Sequence, residues 1–268
     1  MLINKKTKVY ISISKFPGNT GALLHNTGYK IHNLNSIYIP FMCSSSEQLK
    51  KILQINKFSG ISVSMPFKST VIKYLNKTDK ASKKVKAVNT ILRRGKFLSG
   101  FNTDYFALKT VIKNRKLNIK TATILGNGST SRTSYEVLKE LNIKKIYLCS
   151  RKNRKFKLLK LRKFDKILNW KIRHKIRSDL LINCTPLGMI SKNILPIKLR
   201  RMKQFKYIID FPINPKTKLS KISNKLKIIY IGGLEISLYQ GLKQFNIYTG
   251  KKINFNKMKK ILNYRFNV

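Results

Sequence analysis

Two residues of the sequence have the types and the setting needed for acid–base chemistry. Lys68 ends the segment 60–68 (GISVSMPFK), and Asp104 stands between a predicted strand end and a predicted helix start. The chain contains only 9 acidic residues, so this position of Asp104 is conspicuous. An aspartate held beside a lysine keeps the ammonium oriented and paired, as a proton relay requires. Spacing alone leaves open the alternative that Asp104 caps a helix and Lys68 is a surface lysine.

A second group of residues indicates a phosphate-binding loop. The segment 122–138 (ATILGNGSTSRTSYEVL) places Gly126, Gly128 and Ser131 between a predicted strand and a predicted helix. Gly126 would permit the tight turn, and Gly128 would let backbone N–H groups approach a pyrophosphate at the helix N-terminus. Two glycines also occur by chance at such joints, but the strand before them and the βαβ spacing after them favour a dinucleotide site.

The end of the next predicted strand indicates which dinucleotide binds. An NAD site usually has Asp or Glu about 20 residues after the glycines, and this turn contains neither. The chain has Ser150, Arg151 and Lys152 instead, with Arg154 and Lys155 close behind, and these side chains could hold a 2′-phosphate. The missing acid carries most of the argument, because any surface turn of so basic a chain can contain arginine. The sequence therefore predicts NADP(H) rather than NAD(H).

These residues need a scaffold, and the apolar pattern predicts alternating strands and helices. Predicted strands cover 9–14, 36–42, 60–64, 87–93, 96–101, 122–125, 145–149, 179–184, 206–210 and 227–231, and predicted helices cover 20–32, 47–56, 104–114 and 131–141, with another opening near 66–68. The two strands around 94–95 have the pattern of a hairpin. Alternation elsewhere implies parallel sheets with right-handed crossovers. Since the rhythm restarts near residue 104, we predict an α/β fold of two domains.

Composition bounds the class of protein. The 268 residues include 58 Lys+Arg, for a formal net charge of +49, yet 42% are hydrophobic, which excludes a disordered basic tail. The basic residues are spread along the whole chain and no nucleic-acid-binding motif accompanies them. A compositional drift of the surface therefore explains the charge better than specific nucleic-acid binding does.

Other classes are excluded by what the sequence lacks. The 3 cysteines are scattered and no His/Cys/carboxylate cluster is evident, so we predict neither a disulfide framework nor a metal site. No apolar stretch approaches the roughly 18 residues needed to cross a bilayer, and the N-terminus lacks the apolar core of a signal peptide. We expect a folded, soluble, cytoplasmic protein with no membrane contact.

Six segments in register resemble the shikimate dehydrogenase family. They are SMPFK (64–68), AVNTI (87–91), FNTDY (101–105), GNGSTSR (126–132), INCTPLGM (182–189) and GGLEISLYQGLKQF (232–245). The opening ISISKFPGNTGALLHN (11–26) is similar to the shikimate dehydrogenase-like subgroup. Any one motif is weak, but together they extend the resemblance over nearly the whole chain.

The resemblance implies a reversible, NADPH-dependent reduction of 3-dehydroshikimate to shikimate, in aromatic amino acid (chorismate) biosynthesis. It implies that Lys68 donates the proton to the carbonyl oxygen and that Asp104 positions Lys68. Ser64, Asn89 and Gln240 would contact this small-molecule substrate. The implied cofactor-binding residues are Gly126, Asn127, Gly128, Ser129, Ser150, Arg151, Lys152, Thr185 and Gly233.

The same resemblance implies a domain organisation. Residues 1–103 would form the substrate-binding α/β domain, 104–231 a Rossmann-like NADP-binding domain, and 232–268 C-terminal helices that return to the first domain. The expected assembly is a monomer or a homodimer.

The N-terminal segment departs from the family pattern. The family has an SKSP motif whose two hydroxyls bind the substrate carboxylate, and Asn19 and Gly21 occupy those positions here. Asn19 can still bind the substrate through its amide, whereas Gly21 has no side chain. This leaves open a related quinate/shikimate-type dehydrogenase with a shifted substrate. A non-catalytic nucleotide- or nucleic-acid-binding descendant of the fold is a further alternative, which the charge supports and the presence of both Lys68 and Asp104 opposes.

Overall fold

A computed structural model describes residues 3–152, 154–188, 194–213 and 217–266 of the chain. The chain divides into two compact units, the first formed by residues 1–106 with 238–268 and the second by residues 107–237. The divisions predicted from the sequence fall after residues 103 and 231.

The elements are numbered in chain order. The strands are β1 (Lys8–Ser14), β2 (Ser36–Met42), β3 (Phe58–Val63), β4 (Lys77–Thr78), β5 (Thr90–Arg94), β6 (Phe97–Phe101), β7 (Thr121–Leu125), β8 (Lys145–Ser150), β9 (Lys166–Asn169), β10 (Leu180–Asn183), β11 (Tyr207–Asp210) and β12 (Ile229–Gly232). The α-helices are α1 (Thr20–Ile31), α2 (Ser46–Gln54), α3 (Lys80–Val85), α4 (Thr103–Asn114), α5 (Ser129–Glu140), α6 (Lys218–Lys225), α7 (Gly233–Thr249) and α8 (Phe255–Phe266). Short 3₁₀ helices cover Thr70–Tyr74, Arg154–Leu158, Trp170–Lys175 and Leu199–Gln204.

The first unit is built on a mixed six-stranded sheet in the order β2-β1-β3-β5-β6-β4. Strand β1 runs parallel to β2 and β3, whereas β5 is antiparallel to both β3 and β6. The carboxyl ends of β3 and β6 therefore lie at the same edge of the sheet as the start of β5. This edge gathers chain segments that are distant in sequence.

Apolar clusters cover the two faces of this sheet. One cluster joins Ile11, Ile13 and Ile61 to Leu49 and Ile52 of α2. The other consists largely of aromatic side chains contributed by β1, β2, α1 and α7, with α8 packed against them: Tyr10, Leu24, Tyr29, Tyr38, Leu238, Phe245, Tyr248, Met258 and Leu262. Because both faces are covered, the sheet is a rigid base for residues at its edge.

The second unit contains a parallel six-stranded sheet in the order β12-β11-β10-β7-β8-β9. This is the doubly wound Rossmann order, in which the direction of winding reverses between β7 and β10. Its core includes Leu125, Leu181, Ile208 and Met202. The predicted α/β fold with a Rossmann-like part is confirmed. In the described part of the chain, every helix is too short or too polar to cross a membrane.

One predicted helix is wrong. The proline at position 66 suggested a helix opening near Pro66–Lys68, but the chain forms a turn there, followed by the 3₁₀ helix Thr70–Tyr74. The N–H of Phe67 donates to the carbonyl oxygen of Ser64 at 3.0 Å, and this turn brings Lys68 back toward the sheet edge.

Candidate active site

The Lys68–Asp104 pair is formed in the first unit. The Lys68 Nζ donates to the Asp104 Oδ2 at 2.7 Å, and each side chain keeps 15% exposure. The backbone of Lys68 is held as well, because its carbonyl oxygen accepts the N–H of Val88 at 2.7 Å. A pair at this depth is partly desolvated while remaining open to a ligand, so its geometry is fixed by attraction that water screens only in part.

Asn102 caps the helix that carries Asp104. The Oδ1 of Asn102 accepts the N–H of Tyr105 at 3.0 Å, and its Nδ2 donates to the carbonyl oxygen of Ala87 at 3.0 Å. Its position in the sequence left Asp104 as an alternative cap of this helix. Because Asn102 fills that role, the Asp104 carboxylate is directed to Lys68 instead.

Asn89 is anchored next to this pair. Its side chain is 3% exposed, and its Oδ1 accepts the Thr103 N–H at 2.8 Å, the Thr103 hydroxyl at 3.1 Å and the Thr90 hydroxyl at 3.0 Å. Gln240 reaches the same point, since its Nε2 donates to the Thr103 Oγ1 at 3.1 Å. Asn89 and Gln240 therefore both contact Thr103, the residue that precedes Asp104.

The other two predicted substrate residues lie in exposed segments. Ser64 follows the end of β3, and its N–H donates to the carbonyl oxygen of Ile13 at 2.9 Å. Asn19 precedes α1, and its side chain makes no capping hydrogen bond. Among the described residues, no hydrogen bond joins Asn19 to Lys68 or Asp104. Its role in binding stays a prediction.

Sequence reasoning missed the threonines and the second glutamine of this site. Thr90 and Thr103 are buried, and the Gln244 Nε2 donates to the Thr90 Oγ1 at 2.8 Å. These bonds join residues up to 154 positions apart, so no local pattern predicts them. The available signal was the spacing of Gln240 and Gln244, which places two amides on the same face of helix α7.

The glycine loop of the second unit has the shape that a phosphate requires. Gly126 has φ +108°, a conformation that suits glycine, and its N–H donates to the carbonyl oxygen of Cys149 at 2.9 Å. Gly128 precedes α5, which begins at Ser129 without a side-chain cap. A Cβ at Gly128 would meet nothing within 4 Å. The uncapped N–H groups of a helix N-terminus beside an open glycine fit a pyrophosphate.

The predicted 2′-phosphate residues lie at the end of β8, next to this loop. The Ser150 Oγ donates to the carbonyl oxygen of Lys152 at 3.0 Å, and the Asn127 Nδ2 donates to the same oxygen. Arg151 and Lys152 are exposed, so their charged groups are available to a ligand. The side chains of Arg154 and Lys155 lie outside the described residues.

Thr185 and Gly233 follow the ends of β10 and β12 at the carboxyl edge of the same sheet. The Asn183 Oδ1 accepts both the N–H and the hydroxyl of Thr185, at 3.1 and 2.6 Å. Gly233 packs against the carbonyl oxygens of Phe211 and Pro212 so closely that a Cβ would clash with the backbone. Both positions are therefore fixed by local packing.

A buried carboxyl supports this edge. The Asp210 Oδ1 accepts from the Asn183 Nδ2 at 2.8 Å, and its Oδ2 accepts from the Tyr230 hydroxyl at 2.9 Å. Burial raises the pKa of Asp210 to about 6, against the opposing effect of these hydrogen bonds. Asp210 thus orients Asn183, which in turn holds Thr185.

An ion-paired lysine at the edge of one α/β unit and a dinucleotide-type loop on a Rossmann sheet together define the class of nucleotide-dependent dehydrogenases. Comparisons with known proteins narrow this class. A family model described as the shikimate dehydrogenase substrate binding domain matches residues 19–91. The chain is also 32% identical over 237 residues to a shikimate dehydrogenase (NADP(+)) of Clostridium beijerinckii, which covers 84% of this chain and 85% of that protein.

Solved structures agree with the sequence match. A crystal structure of shikimate dehydrogenase 1 from Peptoclostridium difficile superposes with a TM-score of 0.84 at 27% identity, covering 97% of this chain and 98% of the other. A shikimate dehydrogenase in complex with NADP+ gives a TM-score of 0.86 at 27% identity, covering 99% and 98%. The chain belongs to the shikimate dehydrogenase family.

Proposed function

We propose that this protein catalyses the reversible, NADPH-dependent reduction of 3-dehydroshikimate to shikimate, a step of aromatic amino acid biosynthesis. The observation that carries the proposal is the 2.7 Å ion pair of Lys68 with Asp104, in which an oriented ammonium remains open to a ligand. Family membership supplies the substrate class, since the relatives named above are shikimate dehydrogenases.

The residues of the first unit would handle the proton. Bound NADPH supplies the hydride that reduces the carbonyl carbon. Lys68 Nζ, held by Asp104, donates a proton to the carbonyl oxygen as negative charge develops on it, and removes that proton in the reverse direction. The Asp104 carboxylate keeps the ammonium in one orientation and can accept a hydrogen bond from a ring hydroxyl. Asn89 and Gln240 would orient the substrate ring.

The residues of the second unit suit NADP(H). Gly126, Gly128 and Ser129 would hold the pyrophosphate through backbone N–H groups. Arg151 would bind the 2′-phosphate, with Ser150 and Lys152 beside it, in a turn without the acid that an NAD site uses. The NADP(+) named in the relatives supports this choice.

The test is NADPH consumption with 3-dehydroshikimate by the wild-type protein and by Lys68→Ala. We expect turnover in the wild type and none above background in the variant, with NADPH affinity unchanged because Lys68 lies in the other unit. Lys83→Ala, which removes an exposed lysine of α3, is the matched control and should keep full activity. Turnover retained by Lys68→Ala, or NADPH affinity lost along with activity, would contradict the proposal.

A shifted substrate is a second candidate, supported by the segment before α1. Asn19 is exposed and its side chain makes no capping hydrogen bond to α1. Gly21 has no hydroxyl where the family pattern has one. Carboxylate recognition here must therefore differ in chemistry from that of the SKSP motif. Comparing kcat/KM for shikimate and quinate in the oxidative direction tests this candidate, and a higher value for quinate would establish it over the first.

A further inference from the structure

We propose that Gln244 is a positioning residue that fixes the side-chain amide of Asn89, so that Asn89 presents a hydrogen-bond donor to the substrate. The proposal rests on the proposed function for the identity of the substrate. It concerns a residue that neither motif matching nor the sequence analysis singled out.

Gln244 is the centre of a buried polar network. Its side chain is 2% exposed, and its Nε2 lies 2.8 Å from the Thr90 Oγ1, 3.2 Å from the Ser62 Oγ and 3.4 Å from the carbonyl oxygen of Asn89. The carbonyl can only accept, which fixes the nitrogen of the Gln244 amide on this side. The Gln244 Oε1 therefore faces the His25 Nε2 at 3.0 Å.

The direction of each bond in this network follows from that orientation. The His25 Nε2 must carry a proton and donate to the Gln244 Oε1. Because burial lowers the pKa of His25 to about 4, the ring is neutral at pH 7 and its one N–H is at Nε2. Gln244 donates to the Thr90 Oγ1. The Thr90 hydroxyl then has its own proton available for the Asn89 Oδ1 at 3.0 Å.

A parallel path begins at Gln240, one helical turn earlier on α7. The Gln240 Nε2 donates to the Thr103 Oγ1 at 3.1 Å, which leaves the Thr103 hydroxyl proton for the Asn89 Oδ1 at 3.1 Å. Two glutamines thus act through two threonines on one oxygen. With the Thr103 N–H as a third donor, the Asn89 Oδ1 is fully engaged.

The side-chain nitrogen of Asn89, Nδ2, is left to bind a ligand. Among the described residues, the Asn89 Nδ2 has no hydrogen-bond partner, while its oxygen has three. Turning the amide over would place NH₂ against the Thr103 N–H, which can only donate. Asn89 must therefore offer N–H groups to a hydroxyl or carbonyl oxygen of the substrate, beside Asp104, which offers an acceptor.

The first experiment replaces Gln244 with methionine, which has a similar volume and no amide. We expect kcat/KM for shikimate to fall about fivefold, as for one weakened neutral hydrogen bond, with the Kd of NADP+ unchanged. The fall should appear mainly in KM. Gln204→Met is the matched control, because it removes the 2.7 Å bond from the Gln204 Nε2 to the carbonyl oxygen of Ile176 in the second unit. An equal fall in this control, or no fall in Gln244→Met, would overturn the proposal.

The second experiment is a double-mutant cycle with Asn89→Ala. If Gln244 acts through Asn89, Gln244→Met should cause no further fall in the Asn89→Ala background, where kcat/KM is read from the initial slope without saturation. A fivefold fall in both backgrounds would show that Gln244 does not act through Asn89.

A third readout needs no substrate. The NMR order parameter of the Asn89 side-chain amide should fall in Gln244→Met and stay unchanged in Gln204→Met. An unchanged order parameter in Gln244→Met would overturn the proposal for Gln244, whether or not the wild type turns over shikimate. A wild-type protein that does not turn over shikimate would contradict the proposed function instead.

Discussion

The side chain of Asn102 caps helix α4, which leaves the carboxylate of Asp104, two residues later, free to pair with Lys68. The Asn102 Oδ1 accepts the first-turn N–H of Tyr105 at 3.0 Å, while the Asp104 Oδ2 lies 2.7 Å from the Lys68 Nζ. Both polar side chains stand at the start of one helix, yet one stabilises it and the other reaches across to a different segment. The two roles can therefore be separated by mutation.

Replacing Asp104 with asparagine should reduce catalysis without unfolding the protein. The amide keeps the shape but loses the charge that orients Lys68, so kcat/KM for shikimate should fall about 100-fold, within the range for a general acid–base group. The thermal stability should fall only modestly, because the asparagine Oδ1 can still accept from the Lys68 Nζ and the pair keeps some exposure to water. Steady-state kinetics and thermal unfolding of the same preparations measure both effects.

Asn102→Ala is the control for Asp104→Asn, because it removes the cap of α4 and leaves the Lys68–Asp104 ion pair in place. Loss of the cap and of the buried bond to the carbonyl oxygen of Ala87 should lower the free energy of unfolding by about 2 kcal/mol, and kcat/KM at a temperature well below unfolding should fall far less than in Asp104→Asn. If Asp104→Asn destabilises the protein more than Asn102→Ala does and leaves kcat/KM intact, Asp104 is structural.

Replacing Arg151 with glutamine should weaken NADPH binding selectively. The exposed guanidinium is proposed to hold the 2′-phosphate, and a hydrogen bond to a charged group contributes about 1.5–3 kcal/mol, so the Kd of NADPH should rise about 10- to 100-fold. The Kd of NADH, which lacks this phosphate, should stay the same. Fluorescence titration of both nucleotides measures the difference.

Arg200→Gln controls for the loss of one positive charge from the same unit, and should leave both nucleotide affinities nearly unchanged. In a chain with a net charge of +49, a general electrostatic effect would weaken both nucleotides in both variants. That result would count against a specific role for Arg151.

The sequence predicted most of the fold because its strands are regular apolar runs. Strand β2 was predicted with the bounds that the structure shows, and β7 and β8 to within one residue at each end. The short elements β4 and α3 were missed, because Lys77–Thr78 and Lys80–Val85 are too brief and too polar to show a period. The proline signal at Pro66 failed because the Ser64–Phe67 turn determines the local structure.

The candidate site was predictable only where a motif marks it. Lys68 and Asp104 could be paired from their motifs, and the structure brings them to 2.7 Å. The family membership that those motifs implied is confirmed. Thr90 gave no signal, and the spacing of Gln244 from Gln240 did not reveal its partner, because both roles depend on a contact between β5 and α7 that exists only in the folded sheet. The hydrogen bonds from the threonine hydroxyls to the Asn89 Oδ1 also depend on the assembled network, so the sequence could not predict them.

Restoring a hydroxyl at position 21 should improve recognition of a carboxylate. A Cβ at Gly21 would lie 3.2 Å from the Tyr38 hydroxyl oxygen, a tight but not prohibitive contact. The Tyr38 hydroxyl hydrogen-bonds with Ser62 and Ser12 and cannot move freely. We therefore expect Gly21→Ser to raise kcat/KM for shikimate clearly in the Tyr38→Phe background, by about fivefold for one added hydrogen bond, and less in the wild-type background.

The methyl ester of shikimate tests whether the residue at position 21 binds the substrate carboxylate or only fills space. The gain of Gly21→Ser should be seen with shikimate and be absent with methyl shikimate, which lacks the carboxylate. Gly21→Ala, which adds the Cβ alone, should give no gain with either compound. Equal gains with both compounds would mean that residue 21 acts by filling space.

His25 should make the first unit sensitive to acid. Its ring is fully buried, stacks on Tyr38 at 4.4 Å between centroids, and has its pKa lowered by burial from 6.5 to about 4. A folded-state pKa below the unfolded value means that the stabilisation is complete above pH 6.5 and is lost as the pH falls toward 4. The loss amounts to about 3 kcal/mol over that window, from about 1.36 kcal/mol per pH unit.

His25→Phe should remove this dependence while keeping the ring stack. The variant should be less stable at pH 7, because the Gln244 Oε1 loses its donor, but its stability should change less between pH 6.5 and 4.5. Asp210 has a raised pKa and gives the opposite slope, since its contribution is lost as the pH rises through about 6. Because Asp210 lies in the second unit, hydrogen exchange of the α1 and α7 amides at several pH values isolates the His25 effect. Parallel pH profiles of wild type and variant at these amides would show that His25 does not cause the acid sensitivity.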